Sequence, residues 1–270
     1  MAPQQPRRVP LSVLIPTVVG AVVAPVVWFN WSSPWTSELV ARMPAAVSGS
    51  SDTAALRSGG DAVDSSHFHW PSAGDLAGLW ISSDEASRML WAMKPGMIYL
   101  EYGSGGSTMA FAPMARRAYS VEHNEPWCKK MQQKLAAKGL TNRISYKCES
   151  VPAGTGGWGI ANAFEEGDYK VFKRYVDTVT RLGEATFDVV LIDGRARVAC
   201  ALKVLPYLSS TSTIILHDAR RAHYAAILDY YDEIGQVVGQ RGARLFRRKA
   251  SVVPLLPLSD EVIQGVYERK

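Results

Sequence analysis

Met97-Ile98-Tyr99-Leu100-Glu101-Tyr102-Gly103-Ser104-Gly105-Gly106-Ser107-Thr108 is the stretch on which the reading of this chain turns. A short apolar run ends in a carboxylate, a glycine turn follows, and two hydroxyl residues stand where a helix would begin. The run predicts a buried strand, and Gly103, Gly105 and Gly106 predict a turn in which side chains would collide with a ligand. Ser107 or Thr108 suits an N-cap, which would aim the first amides of the next helix at the turn and favour an anionic group there. Such a strand-turn-helix suits a nucleotide or a nucleotide-like cofactor.

Two common versions of that turn fit poorly. A dinucleotide fingerprint G-x-G-x-x-G/A would need a small third residue where Thr108 stands, which disfavours NAD. A phosphate loop needs a lysine after the glycines, and none follows. What remains is acid-x-Gly-x-Gly, with Glu101 leading.

Further strand ends carry polar residues. Ala118-Tyr119-Ser120-Val121-Glu122 predicts a second strand, and its terminal acid lies 21 residues after Glu101. In doubly wound folds an acid about 20 residues downstream bonds ribose hydroxyls, so Glu122 is the candidate for that role. Arg143 to Cys148 predicts a third strand, followed by Glu149. Phe187 to Ile192 is the strongest strand and leads into Asp193-Gly194; Ser212 to Leu216 leads into His217-Asp218. Helices are expected over Ser83–Met93, Thr108–Arg116, Trp127–Lys138, Tyr169–Leu182, from Arg195 onward, and over His223–Ile234. Strands Gln236–Val238 and Ala243–Phe246 would close the sheet.

Asp193, His217, Asp218 and His223, with Tyr224 beside them, are candidates for orienting or deprotonating an acceptor, since an ordinary imidazole titrates near neutral pH. Arg195 and Arg197 suit a bidentate clamp on an acidic substrate group. Equally, one of them could pair with Asp193 or Asp188 and only hold the loop.

Composition bounds the rest. The chain has 270 residues, 47% hydrophobic and 20% charged, enough for one α/β domain with appendages. The net charge of +5 gathers partly at Arg241, Arg244, Arg247, Arg248 and Lys249, read as a solvated edge. Without interleaved aromatics, no nucleic-acid partner is expected. A short basic tail, 1–8, precedes an apolar segment over 9–31 in which Val9 to Phe29 carries no charge. That segment predicts a single-pass membrane helix, with Trp28, Trp31 and Trp35 at an interface and the following domain lumenal in an endomembrane such as ER or Golgi; a cleaved signal or an organellar targeting segment are the alternatives. A linker is expected over 32–70, and its His67 and His69 are too few to hold a metal. The domain is expected over 71–250 and a tail over 251–270. Cys128, Cys148 and Cys200 are an odd set within predicted elements and read as reduced thiols.

The order of these features, over about Leu79 to Lys249, resembles the class I S-adenosylmethionine (SAM)-dependent methyltransferases. The segments around Glu101-Tyr102-Gly103-Ser104-Gly105 and Asp193-Gly194-Arg195 look like a bacterial-type subgroup of unknown substrate. The resemblance implies a doubly wound, seven-stranded, mostly parallel α/β sheet with a reversed last strand, and SAM as cofactor. It implies that the turn, with Gly103, Ser104, Gly105 and Ser107, lies against the methionine part of SAM, that Glu101 reaches its amino group, and that Glu149 meets the adenine. Ser107 stands where the family has a third glycine. Asp193 and Asp218 match two of three metal ligands in catechol-type O-methyltransferases, but the third place holds Ala219, so no metal is expected. Trp158 and Tyr102 would line the pocket. No Asn-Pro-Pro-aromatic motif is present, which points to a hydroxyl, carboxyl or other acceptor rather than an amine. A catalytically inactive subunit or scaffold of a membrane-associated assembly, with the same fold, is the alternative.

Overall fold

The computed structural model describes residues 70–151, 168–237 and 242–269. The helix expected over 9–31, the linker up to His69 and Trp158 lie outside the described residues. No helix among the described residues is long and apolar enough to cross a membrane.

The capping signal at Ser82 starts a helix as expected, and a second one at Ser72 starts a helix that was not expected. Helix α1, Ala73–Ala77, follows Ser72, and α2, Ser83–Ala92, follows Ser82; each serine forms a capping box with the acid three residues on. Strand β1, Ile98–Tyr102, then leads through the glycine turn into α3, Gly106–Ala110. The helix expected as far as Arg116 stops early. Its backbone tightens into a 3-10 turn at Ala112–Met114, where Pro113 cannot donate the next helical bond. Strand β2, Arg117–Glu122, is followed by α4, Glu125–Ala137, capped by Asn124, and by β3, Ile144–Cys148.

After α5, Tyr169–Val176, come β4, Phe187–Ile192, α6, Arg197–Lys203, and the long β5, Leu208–His217. The strand order is β3-β2-β1-β4-β5-β7-β6, where β6 is Tyr231–Val237 and β7 is Ala243–Arg248. The pairs β1–β2, β1–β4, β2–β3 and β4–β5 are parallel, and β7 runs against both its neighbours. This is the doubly wound sheet expected from the sequence. Alternation sorts the strand residues to two cores. Leu100, Tyr102, Val190, Ile192, Ile214 and Leu216 face one layer, whereas Tyr99, Val189, Leu191 and Ile215 face the other. Each fully buried aliphatic among them stabilises the fold by about 1.5–3 kcal/mol.

The helix expected over His223–Ile234 is a correction. Ala222–Asp229 is a 3-10 segment, and β6 already begins at Tyr231. Charged residues of this segment are cross-strand partners: Asp232 lies opposite Arg247, and Glu233 holds Arg244 at 2.5 Å. Tyr231 is buried with its hydroxyl donating to the Ala201 carbonyl. The residues read as a tail over 251–270 contain a 3-10 turn, Ala250–Leu255, and α7, Asp260–Tyr267, whose Ile263 and Val266 are buried in the core. Cys128 on α4 and Cys148 on β3 form a disulfide across Cα atoms 6.0 Å apart, so the expectation of three reduced thiols holds only for Cys200. Adjacent elements, not a short spacing motif, bring that pair together.

Candidate functional site at the carboxyl edge of the sheet

A cavity of about 1010 Å³ opens over the ends of β1, β2 and β4. The turn from Gly103 to Ser107 forms its floor, Glu122 one flank, and Asp193, Gly194 and Arg195 the other. Leu79, Trp80 and Met89 close it from the α1–α2 side, and Trp127, Lys130 and Lys134 from α4.

The glycines serve different ends. Gly103 has φ +91°, and a Cβ there would lie 2.5 Å from the Gly194 backbone, so β1 and β4 pack main chain against main chain. A side chain at Gly106 would collide with the Gly78 carbonyl. These two positions thus make room for protein. Only Gly105 of the three would have nothing within 4 Å of an added Cβ, leaving a cradle open to a ligand. Gly105, not Ser107 or Thr108, takes the N-cap place, and its amide donates to Thr108 Oγ1 at 2.9 Å.

Glu101 turns away from the cavity. It is fully buried behind the turn, where Ser107, Thr108 (2.5 Å) and Ser120 (2.8 Å) donate hydroxyl bonds to its carboxylate. Burial outweighs those bonds and raises its pKa to about 7. Its expected contact with the cofactor is therefore corrected: the acid ties the turn to β2 through hydroxyl groups. Glu122 does flank the cavity. Ser104 donates to one oxygen through N (2.9 Å) and Oγ (2.8 Å), and the amides of His123 and Asn124 donate to the other at 2.9 and 2.8 Å. Burial pushes this carboxyl up, but the contact with His123 and the bonds from the Asn124 and Ser104 amides hold it below its ordinary value.

At the other flank His217 is buried, with Nδ1 2.8 Å from Asp193 Oδ1 and Nε2 3.7 Å from Glu85 Oε1. Burial alone would lower the imidazole pKa; the two carboxylates outweigh it and raise it to about 9. The protonated imidazole is thus favoured, and His217 holds Asp193 through Nδ1. Glu85, despite burial, is held at about 2 by His217 and the Ser82 cap. Asp193 remains the acid that faces the cavity, one-third exposed. Asp218 lines the same flank at φ +53°, a left-handed conformation Asp tolerates better than most residues.

Five other residues do not take the places expected of them. Arg197 borders the cavity, but only 6% of it is exposed and its donors are taken by the Gly194 and His217 carbonyls and by Asp218, so it cannot clamp a substrate; Arg195 stays at the cavity wall. Glu149 is gripped by Arg174 (2.5 Å) and Arg181 (2.7 Å) and does not line the cavity. His223 packs edge-on against Tyr224, and Tyr224 is a core residue with the Arg197 guanidinium 5.7 Å from its ring centre, so neither lines the cavity. Tyr102 is wholly buried and donates to the Val176 carbonyl at 2.8 Å.

Sequence reasoning missed three contributors. Glu85 was legible only as a cap; one oxygen does cap, and the other faces His217. Trp127 donates its indole N–H to the Ser104 carbonyl at 2.8 Å, and Tyr146 lies 2.8 Å from Ser104 Oγ, so both steady the turn from neighbouring elements. Asn124 capping of α4 was the one local signal that aims Trp127 this way.

No protein-family model matches the chain, and no curated protein matches it in sequence. Solved structures do. A methyltransferase-like protein from Silicibacter pomeroyi is 25% identical, with a TM-score of 0.51, over 69% of this chain and 95% of that one. An SAH-bound methyltransferase of Podospora anserina is 16% identical (TM-score 0.45, 67% and 82% covered), and an O-methyltransferase of Bacillus cereus in complex with SAH is 15% identical (0.43, 63% and 82%). The chain has the fold of the class I SAM-dependent methyltransferases, the family its sequence resembles. The Silicibacter pomeroyi protein is described as methyltransferase-like, with no substrate named.

Proposed function

We propose that this chain is a SAM-dependent methyltransferase whose cofactor lies over the Gly103–Ser107 turn and whose acceptor, a hydroxyl or carboxyl group, enters beside Asp193. One observation carries the reading: Gly105, Glu122 and Asp193, from three adjacent strand ends, open into one cavity, and the Gly105 cradle is empty of protein. SAM would supply an electrophilic methyl on a sulfonium sulfur. The chain then has mainly to align and to shield. Glu122 would accept the ribose hydroxyls by exchanging its Ser104 Oγ bond for theirs. Asp193 would orient the acceptor and take its proton, with its carboxylate held by His217 2.8 Å away. The apolar segment over 9–31 would tether the domain to a membrane.

A specific observation also favours an inactive scaffold. Four donors already occupy the Glu122 carboxylate, as they would in a site that no longer binds a nucleoside. Calorimetric titration of the full chain with SAH decides between the two. Wild-type should bind, and Glu122→Gln should weaken binding by about 10–100-fold, the loss of a charge-assisted bond pair. No heat from wild-type would leave the scaffold, and an unchanged affinity in Glu122→Gln would remove the ribose assignment. NADH should give no heat.

A further inference from the structure

Asp193, His217 and Asp218 present ligand atoms all within 4.8 Å of one another, a donor set of the kind that holds divalent cations. We infer that the Arg197 guanidinium stands in the place such a cation would take, so that this end of the sheet is closed by a cation carried on the chain and binds no metal ion.

The geometry supports this at each donor. Arg197 Nη2 lies 3.2 Å from Asp218 Oδ2 and 3.4 Å from Asp193 Oδ1, bridging the acids that follow β4 and β5. Its Nε donates to the Gly194 carbonyl at 2.8 Å, Nη1 to the His217 carbonyl, and Nη2 also to the Asp193 carbonyl at 3.3 Å. The three backbone carbonyls and one carboxylate oxygen of each acid, atoms that would ligate a hard cation, are thus already engaged by a planar fork of donors. The Tyr224 ring, 5.7 Å from the guanidinium carbon, is placed for a cation–π contact. His217 is no freer, since its Nδ1 is committed to Asp193 and its Nε2 faces Glu85. The residue after Asp218, Ala219, is buried and offers no oxygen from its side chain. A dication entering here would meet a fixed, buried positive charge among its own ligands, and repulsion would oppose it.

Arg197 also starts α6 and is its first residue, so the guanidinium links the helix to both strand ends. Unlike a metal ion, this cation is not lost to a chelator.

The test is a Mn2+ titration of the full-length wild-type chain, read by electron paramagnetic resonance. We expect the free-ion signal to stay undiminished to millimolar Mn2+, and the melting temperature to be the same in EDTA and in Mg2+. One Mn2+ bound per chain and released by Asp193→Asn would overturn the inference. Arg197→Gln removes the charge and leaves the carboxylates uncompensated. It should melt lower than wild-type, and Mg2+ should recover part of the difference. A folded Arg197→Gln chain indifferent to Mg2+ would also count against it. Should that variant fail to fold, the wild-type titration decides by itself. These readouts need no SAH, so they stand or fall separately from the cofactor reading.

Discussion

At the end of β1 the Glu101 carboxylate accepts bonds from the hydroxyls of Ser107, Thr108 and Ser120; beyond β4 the Asp193 carboxylate meets an imidazolium and a guanidinium. Both are acids at parallel strand ends of one sheet, two strands side by side. Their surroundings give them opposite characters. Neutral donors do not compensate the burial of Glu101, whose pKa rises to about 7, whereas Glu85, which faces His217 at the other flank, is held at about 2 despite its burial. A strand-end acid in this fold is therefore not a role in itself. What faces it decides whether it fastens a turn or serves a cavity.

The comparison can be broken most sharply where the two flanks touch. Gly103→Ala places a Cβ against the Gly194 backbone in a left-handed conformation, and we expect a loss on the order of 4 kcal/mol in chemical denaturation. A loss under about 1 kcal/mol would mean that the two strand ends can part freely.

The cationic flank should show itself in alkali. His217 has a folded pKa of about 9 against an ordinary 6.5, so its stabilisation is complete below 6.5 and is lost as pH rises through 9. The loss should be on the order of 3 kcal/mol, and His217→Gln should flatten that limb of the stability profile. Glu85 works in the other direction. Its folded pKa of about 2 makes its contribution full above 4.5 and lost as pH falls through 2.

The hydroxyl-bonded flank should respond in a lower window. Glu101 favours the protonated folded state below 4.5 and loses that advantage as pH rises through about 7. Glu101→Gln should abolish this slope, worth on the order of 3 kcal/mol, while the alkaline limb from His217 persists. A single substitution that removed both slopes would show the two flanks to be one coupled network.

The smallest effect on stability is expected at Gly105→Ala, where nothing lies within 4 Å of the added carbon and the backbone is extended. Folding should change by no more than about 0.5 kcal/mol, whereas SAH binding should weaken about tenfold as the methyl fills the cradle. Weakened folding with unaltered binding would reverse the assignment of that glycine.

Much of the fold could be read in advance, because parallel strands buried on both faces write long apolar runs and their turns write glycine and capping residues. Phe187 to Ile192 and the capping box at Ser82 are such cases. The segment after His223 could not, since the spacing that suits a helix face also suits β6, and the pairing with Arg244 and Arg247 on β7 settles the matter. At the site, the sequence located Asp193, His217, Asp218, Glu122 and the turn by their places at strand ends. It did not reveal that Glu85 would face His217 or that Cys128 would meet Cys148, because those partners lie on separate elements.

By itself, then, the order of residues determined the alternation of strands and helices, the glycine turn and the row of acids at one edge, all of which depend on neighbours close in the chain. Tertiary structure alone decided which acid meets hydroxyls and which meets charge, and turned Arg197 inward between Asp193 and Asp218. Desolvation and Coulomb interaction depend on distance through space, and distance along the chain does not encode that.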